Sequence, residues 1–273
     1  MNIALERLRL AVDDGVACLT MSNPGKRNAL DATMRDEFRE LIARIQADAD
    51  IRAMILTGAD GHFCAGGDLG GIATANADPG GWRRRLQGLH GWVQDLIMLD
   101  KPVIAAVDGN AAGAGFSLAL AADFILATPR AKFCMSFMKV GLVPDCGALY
   151  TLPRIVGMQR ARELMLSARD VDAAEALRLG LAMELHAPEQ LLARARELAR
   201  SFVQASPAAV SMIKRALAAP PDLSALLDLE ASSQAVATST PEHREAVRNF
   251  LNKQAPPFRW PVHAPPTSTG EPT

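Results

Sequence analysis

The chain has 273 residues, 49% of them hydrophobic and 22% charged, and a formal net charge of −1. That length allows one large domain or a core with an appendage, and the balanced charge gives no electrostatic reason to expect nucleic acid. Aromatics at 5% leave few stacking surfaces for single strands, no apolar run is long enough to cross a bilayer, and the start, Met1 to Arg7, lacks the blocks of a signal peptide.

The four cysteines (Cys18, Cys64, Cys134, Cys146) and five histidines are scattered, with no CxxC pair. This spacing predicts buried thiols in a reducing compartment rather than disulfides or a metal site. A cytoplasmic protein is expected.

In chain order, Leu8–Val12 and Val16–Met21 predict a hairpin turning at Asp13-Asp14-Gly15. Asp31 is placed to cap a helix with Met34, Phe38, Leu41, Ile42 and Ile45 on one face. A strand over Ala53–Thr57 leads into Phe63-Cys64-Ala65-Gly66-Gly67-Asp68-Leu69. The Gly70–Gly81 stretch, rich in Gly, Ala and Asp, is expected to be a mobile loop over a site. A helix from about Trp82 to Leu99 puts Trp82, Leu86, Leu89, Val93 and Ile97 on its apolar face, with His90 directed inward beside them. Strand Val103–Val107 then opens into Asp108-Gly109-Asn110-Ala111-Ala112-Gly113-Ala114-Gly115 and a short helix over Ala114–Ala122. Phe124–Ala127 and Lys132–Cys134 read as strands, and the alternation predicts an α/β core.

From about Gly157 the strands nearly vanish. Asp172 and Glu175 form a capping box, and Pro188, Pro207 and Pro241 each sit where a first helical residue belongs, the last two after Ser206 and Thr240 as caps. The tail, Pro261 to Thr273, is rich in Pro, Ser, Thr and Gly and is expected to be disordered. The expected division is a core over 1–205, helices over 206–260 and a tail over 261–273.

The two glycine-rich pieces carry the chemistry. Small residues at a strand exit let the backbone approach a ligand and leave N–H groups aimed at it. Two such turns facing one another can hold a carbonyl oxygen as it becomes an oxyanion. No GxxxxGK[ST] loop is present, and Gly113-Ala114-Gly115 lacks the third glycine of a dinucleotide fingerprint.

With these pieces in order, the chain resembles the crotonase (enoyl-CoA hydratase/isomerase) superfamily over nearly its whole length. Asn23-Pro24-Gly25-Lys26-Arg27-Asn28-Ala29-Leu30 is similar to the family's first signature near the CoA end of the pocket. Phe63–Leu69 and Lys101–Gly115 resemble its two oxyanion loops. Gly141–Asp145 and Leu152–Gly157 resemble the stretch behind the acyl group, and Phe250–Lys253 resembles the C-terminal helix. The resemblance implies a spiral of ββα units, a C-terminal helical trimerisation region, an acyl-CoA substrate in fatty-acid or aromatic degradation, and no cofactor beyond the coenzyme A of the substrate. A homotrimer or a dimer of trimers, without a membrane or nucleic acid partner, is expected. Carried over by position, Ala65 and Ala114 would donate the oxyanion N–H groups. Lys26, Arg27, Ala29, Gly66, Gly67, Asp68, Leu69, Gly113, Ser117, Phe137 and Lys253 would line the substrate and CoA site, Lys253 reaching CoA phosphates.

The chain departs from the family where a hydratase keeps two glutamates: those positions hold Ser117 and Phe137. One carboxylate remains, Asp145, in a Val140–Gly147 run that, with Asp228-Leu229-Glu230, most resembles the ring 1,2-epoxyphenylacetyl-CoA isomerase group. A single acid/base suffices for allylic isomerisation, and Phe137 and Met138 are expected to desolvate it and raise its pKa. A purely structural role for Asp145 would be to cap a helix starting at Cys146. His90 with Asp145 would keep aromatic acyl-CoA dehalogenation open. Hydration by a non-standard base and a catalytically silent CoA- or RNA-binding member also stay open. Ser117 is a near miss to a G-x-S-x-G elbow, which would need His186 or His243 as its base. Cys64 and Cys146 read as packing residues.

Overall fold

In the computed structural model, residues 1–75, 78–218 and 222–261 are described. Seven strands make the main sheet: β1 (Asn2–Ala4), β2 (Leu8–Asp13), β3 (Val16–Met21), β4 (Ala53–Gly58), β5 (Val103–Val107), β7 (Phe124–Ala127) and β10 (Glu184–Leu185). The predicted hairpin is present with Leu10 opposite Leu19, and β3, β4, β5, β7 and β10 run parallel. A parallel sheet covered on both faces needs apolar residues at every position, and β5 is buried along its whole length. Met54, Leu56, Val103 and Ala105 face one core, whereas Ala53, Ile55, Ile104 and Ala106 face a second.

The first core is closed by α1 (Ala32–Ala47) and α3 (Pro79–Ile97). The Asp31 carboxylate caps α1 by accepting from the Met34 amide at 2.9 Å, and Met34, Phe38, Leu41, Ile42 and Ile45 are buried as predicted. The stretch expected to be a mobile loop instead carries α2 (Leu69–Thr74) and the first turn of α3, capped by Asp78 with Pro79 behind it; its residues 76–77 lie outside the described residues. The buried face of α3 is also displaced from the expected one. Leu89, Trp92, Val93 and Leu96 are buried, with Trp92 stacked on Phe38 at 4.8 Å, while Leu86 is exposed. Both faces satisfy a 3.6-residue period over much of their length, and the partner ring on α1 selects between them.

The second core is closed by α7 (Pro188–Ser201) through Leu191, Ala195, Leu198 and Ala199. Phe258 stacks on Phe202 at 5.6 Å, Trp260 meets Phe124 edge-on at 5.3 Å, and Arg194 donates to the Pro261 carbonyl at 2.8 Å. The rest of the expected tail, 262–273, lies outside the described residues.

A second sheet pairs β6 (Asn110–Ala112) with β8 (Lys132–Cys134) in parallel, and β8 with β9 (Asp170–Asp172) in antiparallel register. β6 lies inside the second glycine-rich piece, which the sequence suggested was all turn. The remaining helices are α4 (Ala114–Leu120), α5 (Ala148–Ser167), α6 (Ala173–Arg178), α8 (Pro207–Ala218), α9 (Leu223–Ser239) and α10 (Pro241–Leu251). Pro188, Pro207 and Pro241 each open a helix as expected. Asp172 accepts from the Glu175 amide at 2.7 Å, but the Glu175 carboxylate turns to Arg169, so only half of the capping box forms. No helix among the described residues is long and apolar enough to cross a membrane.

Candidate active site

The two glycine-rich pieces lie against each other at the ends of β4 and β5. The Cys64 amide donates to the Asn110 carbonyl at 2.9 Å and the Ala112 amide to the Cys64 carbonyl at 3.0 Å, a short parallel bridge. A Cβ on Gly66 would meet the Ala112 carbonyl oxygen at 2.7 Å and the Ala114 nitrogen at 3.6 Å. Gly66, with φ +100°, is therefore required both by its conformation and by the approach of the other loop.

Which amides are left to meet a ligand follows from this pairing. The Ala65 N–H, expected to be an oxyanion donor, is taken: it donates to the Arg27 carbonyl at 3.0 Å. One residue on, Leu30 pairs with the strand-like segment, donating to Gly66 at 2.7 Å and accepting from Asp68 at 3.2 Å. Along an extended segment successive N–H groups point to opposite sides, so the Gly67 N–H faces away from Leu30. Among the described residues no backbone carbonyl accepts it. The Ala114 N–H is the first of α4, where no intrahelical acceptor exists, and it too has no backbone acceptor among the described residues. The donors left free are those of Gly67 and Ala114.

Gly113, at φ +52°, brings Ala114 to this position, with Ser136 Oγ and the Phe137 ring 3.1 and 4.0 Å from where its Cβ would lie. Phe137 is buried. Ser117 is fully buried and its hydroxyl donates to the Gly113 carbonyl at 3.2 Å. His186 pairs with Glu184 at 2.7 Å and His243 is exposed on α10, so neither of these two histidines stands ready to activate Ser117.

Lys26 forms an ion pair with Asp68 at 2.9 Å, which holds that carboxyl below its ordinary range. This contact fastens the first signature to the first glycine loop. Arg27 adopts φ +49° and is exposed, Ala29 is buried and Leu69 is exposed. Lys253 lies exposed beyond α10, and no side-chain hydrogen bond or ion pair joins it to these groups.

Asp145 does not cap a helix through its side chain. α5 begins at Ala148 after Gly147, and it is the Asp145 carbonyl that accepts, from Ala148 at 3.1 Å. Its Oδ1 is buried without a hydrogen-bond partner. Burial pushes the carboxyl upward, opposed by the Cys146 thiol and the charges of His90 and Arg35. Of the two side chains expected to desolvate it, Phe137 is buried but Met138 is half exposed, at 50%. The loop leans on α3: a Cβ on Gly147 would fall 2.9 Å from Ile97 Cδ1 and 3.7 Å from Val93 Cγ1. His90, one turn earlier on α3, thus comes near Asp145, but it is exposed rather than packed inward. Burial pushes the Cys64 thiol up to about 11 and Cys146 well above its usual value, as suits packing residues. Arg35 of α1, which no sequence motif singles out, is half-buried beside this group.

Residues 11–260 match the family model for enoyl-CoA hydratase/isomerase. The chain is 37% identical over 254 residues to a 1,2-epoxyphenylacetyl-CoA isomerase of Escherichia coli K12, covering 90% of this chain and 96% of that protein. It is 38% identical to a probable enoyl-CoA hydratase of Rhodobacter capsulatus, covering 92% and 97%. It is 39% identical to a carnitinyl-CoA dehydratase of Salmonella arizonae, covering 80% and 83%. A solved enoyl-CoA hydratase/isomerase structure from Cupriavidus metallidurans CH34 superposes with a TM-score of 0.91 at 45% identity, covering 96% of this chain and all of that one. With its paired glycine loops, parallel sheet and C-terminal helices, the chain belongs to the enoyl-CoA hydratase/isomerase family and has the crotonase fold.

Proposed function

We propose that the protein is an enoyl-CoA isomerase that moves a double bond using Asp145 as its one acid/base. The observation that carries this reading is the buried, unpartnered Oδ1 of Asp145 in a site where Ser117 and Phe137 occupy the positions of the family's two glutamates. Hydration needs one group for water and one for the C2 proton, whereas isomerisation needs a single base that takes a proton and returns it. The thioester oxygen would lie between the Gly67 and Ala114 N–H groups, with Lys26, Arg27, Ala29 and Lys253 toward the CoA end. Asp145 takes a proton from C2 of a 3-enoyl-CoA, and electrons move onto the thioester oxygen to give a dienolate. That charge develops against the two amides, where each donor is worth about 3–4 kcal/mol of barrier. Protonated Asp145 then delivers its proton to C4, leaving the conjugated 2-enoyl-CoA. A carboxyl made more basic by burial suits this exchange near neutral pH.

Assembly is part of the proposal. No residue of α8, α9 or α10 is buried, and Leu217, Phe250 and Leu251 are more than 70% exposed. Apolar faces of this kind mark an interface, and a homotrimer or dimer of trimers is the expected form.

The test is a parallel spectrophotometric assay on 3-hexenoyl-CoA and crotonyl-CoA. A rise in conjugated thioester absorbance from the first, with no loss from the second, is the expected result. Rapid loss of the crotonyl-CoA signal would establish hydration and overturn the isomerase reading.

A further inference from the structure

A cavity of about 470 Å³ lies between the β2–β3 hairpin and α7. Ala11, Val16 and Cys18 line it from the sheet, Ala193 and Arg196 from the helix. Its origin is side-chain size. Ala11 stands opposite Cys18 in the hairpin register, and Cys18 packs against the second core from its edge. Ala193 lies one turn before Arg196 on the helix, so short side chains on both facing surfaces leave the gap unfilled. Val16 opens β3 and pairs with Ala53 at the start of β4, whereas the glycine-rich loops follow the far ends of β4 and β5. The cavity therefore sits at the opposite end of the parallel strands from the candidate active site, on the α7 face of the sheet.

Two arginines share this face of α7 with Ala193, since residues three and four apart are neighbours on a helix. Arg200 is engaged at the rim, where it donates to Asp13 at 3.2 Å and lies 3.7 Å from Asp14. Arg196 is not. No hydrogen bond or ion pair joins its side chain to another described residue. The acid next to it in the chain, Glu197, pairs instead with Arg194 at 2.9 Å. The Arg196 charge does reach the Cys18 thiol, where it opposes the upward push of burial.

A concave site with an apolar floor and a few polar groups at its wall is the usual form of a small-molecule site, and this volume falls in the usual range of about 300–1,000 Å³. A free guanidinium meets a carboxylate in two-point contact and balances its single charge. Ala11, Val16 and Ala193 offer no side-chain donor to the further oxygens of a phosphate.

We infer that this cavity is a second small-molecule site, separate from the acyl-CoA site, that takes a monocarboxylate with a compact apolar body. The head lies on Arg196 and the body over Ala11, Val16 and Cys18. The inference is independent of which reaction the acyl-CoA site performs.

Cys18 supplies the readout, because it alone of the cysteines is not buried. The full chain is alkylated with N-ethylmaleimide under native conditions, and labelling of Cys18 is followed by peptide mass spectrometry. Hexanoate should slow this labelling saturably. Hexan-1-ol, which lacks the charge, and inorganic phosphate, which lacks the apolar body, should not. In Arg196→Gln the half-protecting hexanoate concentration should rise about tenfold, as for loss of one charge-assisted contact. Arg196→Lys should fall between the two. Rates with and without hexanoate are compared within each variant, so the altered thiol basicity of Arg196→Gln cancels. Ala193→Leu, at an exposed helical position, should fill the cavity and abolish the hexanoate effect, which serves should Arg196→Gln fail to fold. Three results would overturn the inference: no protection by hexanoate on the order of 10 mM, equal protection by hexan-1-ol or phosphate, or protection unmoved by both variants. Hexanoate confined to the acyl-CoA site would leave Cys18 labelling unchanged and so counts among the first of these.

Discussion

Gly115 and Cys64 stand so close that a Cβ on Gly115 would fall 2.1 Å from the Cys64 carbonyl oxygen. The same carbonyl accepts from the Ala112 amide, so the contact cannot open without breaking the bridge between the two loops. The first turn of α4 is thereby pinned to the first glycine loop, and with it the distance between the Gly67 and Ala114 amides.

Gly115→Ala is therefore expected to cost about 1–3 kcal/mol, the usual range for overpacking, and to lower turnover with it. Gly91, on the exposed side of α3, would place a Cβ against nothing within 4 Å. There Gly91→Ala should stabilise by about 0.5–1 kcal/mol through helix propensity alone. Thermal melts of the two variants should move in opposite directions.

Ala114→Pro tests the amide donor directly. Proline is tolerated as a first helical residue, so the substitution removes the N–H while leaving an acceptable start to α4. A fall in kcat of about 10²–10³-fold is expected, with the melting temperature changed little. Undiminished kcat in a folded variant would remove Ala114 from the oxyanion site.

Asp145→Asn should lower kcat by about 10²–10⁴-fold yet raise stability at neutral pH. The sign follows from burial: the folded protein holds this proton more tightly than the unfolded chain does. Its favourable contribution is thus present below the ordinary aspartate value of 3.8 and is lost as pH rises through the raised folded value. Above that, the ionised group is a cost that asparagine avoids, a common trade between activity and stability. Melts across pH should show the gain shrinking toward acid. The acid limb of kcat/KM in the unaltered enzyme should lie above 3.8.

Glu184 has the opposite sign. Arg194 grips it through two bonds, at 2.8 and 2.9 Å, and together with His186 pulls it down to about 2 from 4.5. Its contribution is complete above 4.5 and disappears as pH falls toward 2. Glu184→Gln leaves buried Arg194 without its main partner and should cost about 3–5 kcal/mol. Chemical denaturation at pH 7 and at pH 3 should show a markedly smaller loss at the lower value.

The sequence by itself determined most of the helices and most strands of the main sheet, because apolar spacing, Asp31 and the helix-opening prolines act locally. It also determined the family, since the glycine-rich pieces and the other motifs stand in order along the chain. Only the tertiary structure decided which amides of the glycine loops are free. Ala65 is consumed by Arg27, a residue distant in the chain, whereas Gly67 is turned outward by the pairing of Leu30 with its neighbours. It likewise decided that His90 is exposed, because α3 rotates to set Trp92 on Phe38. Periodicity defines a stripe on a helix, but the shape of the surface opposite decides which edge of that stripe is covered.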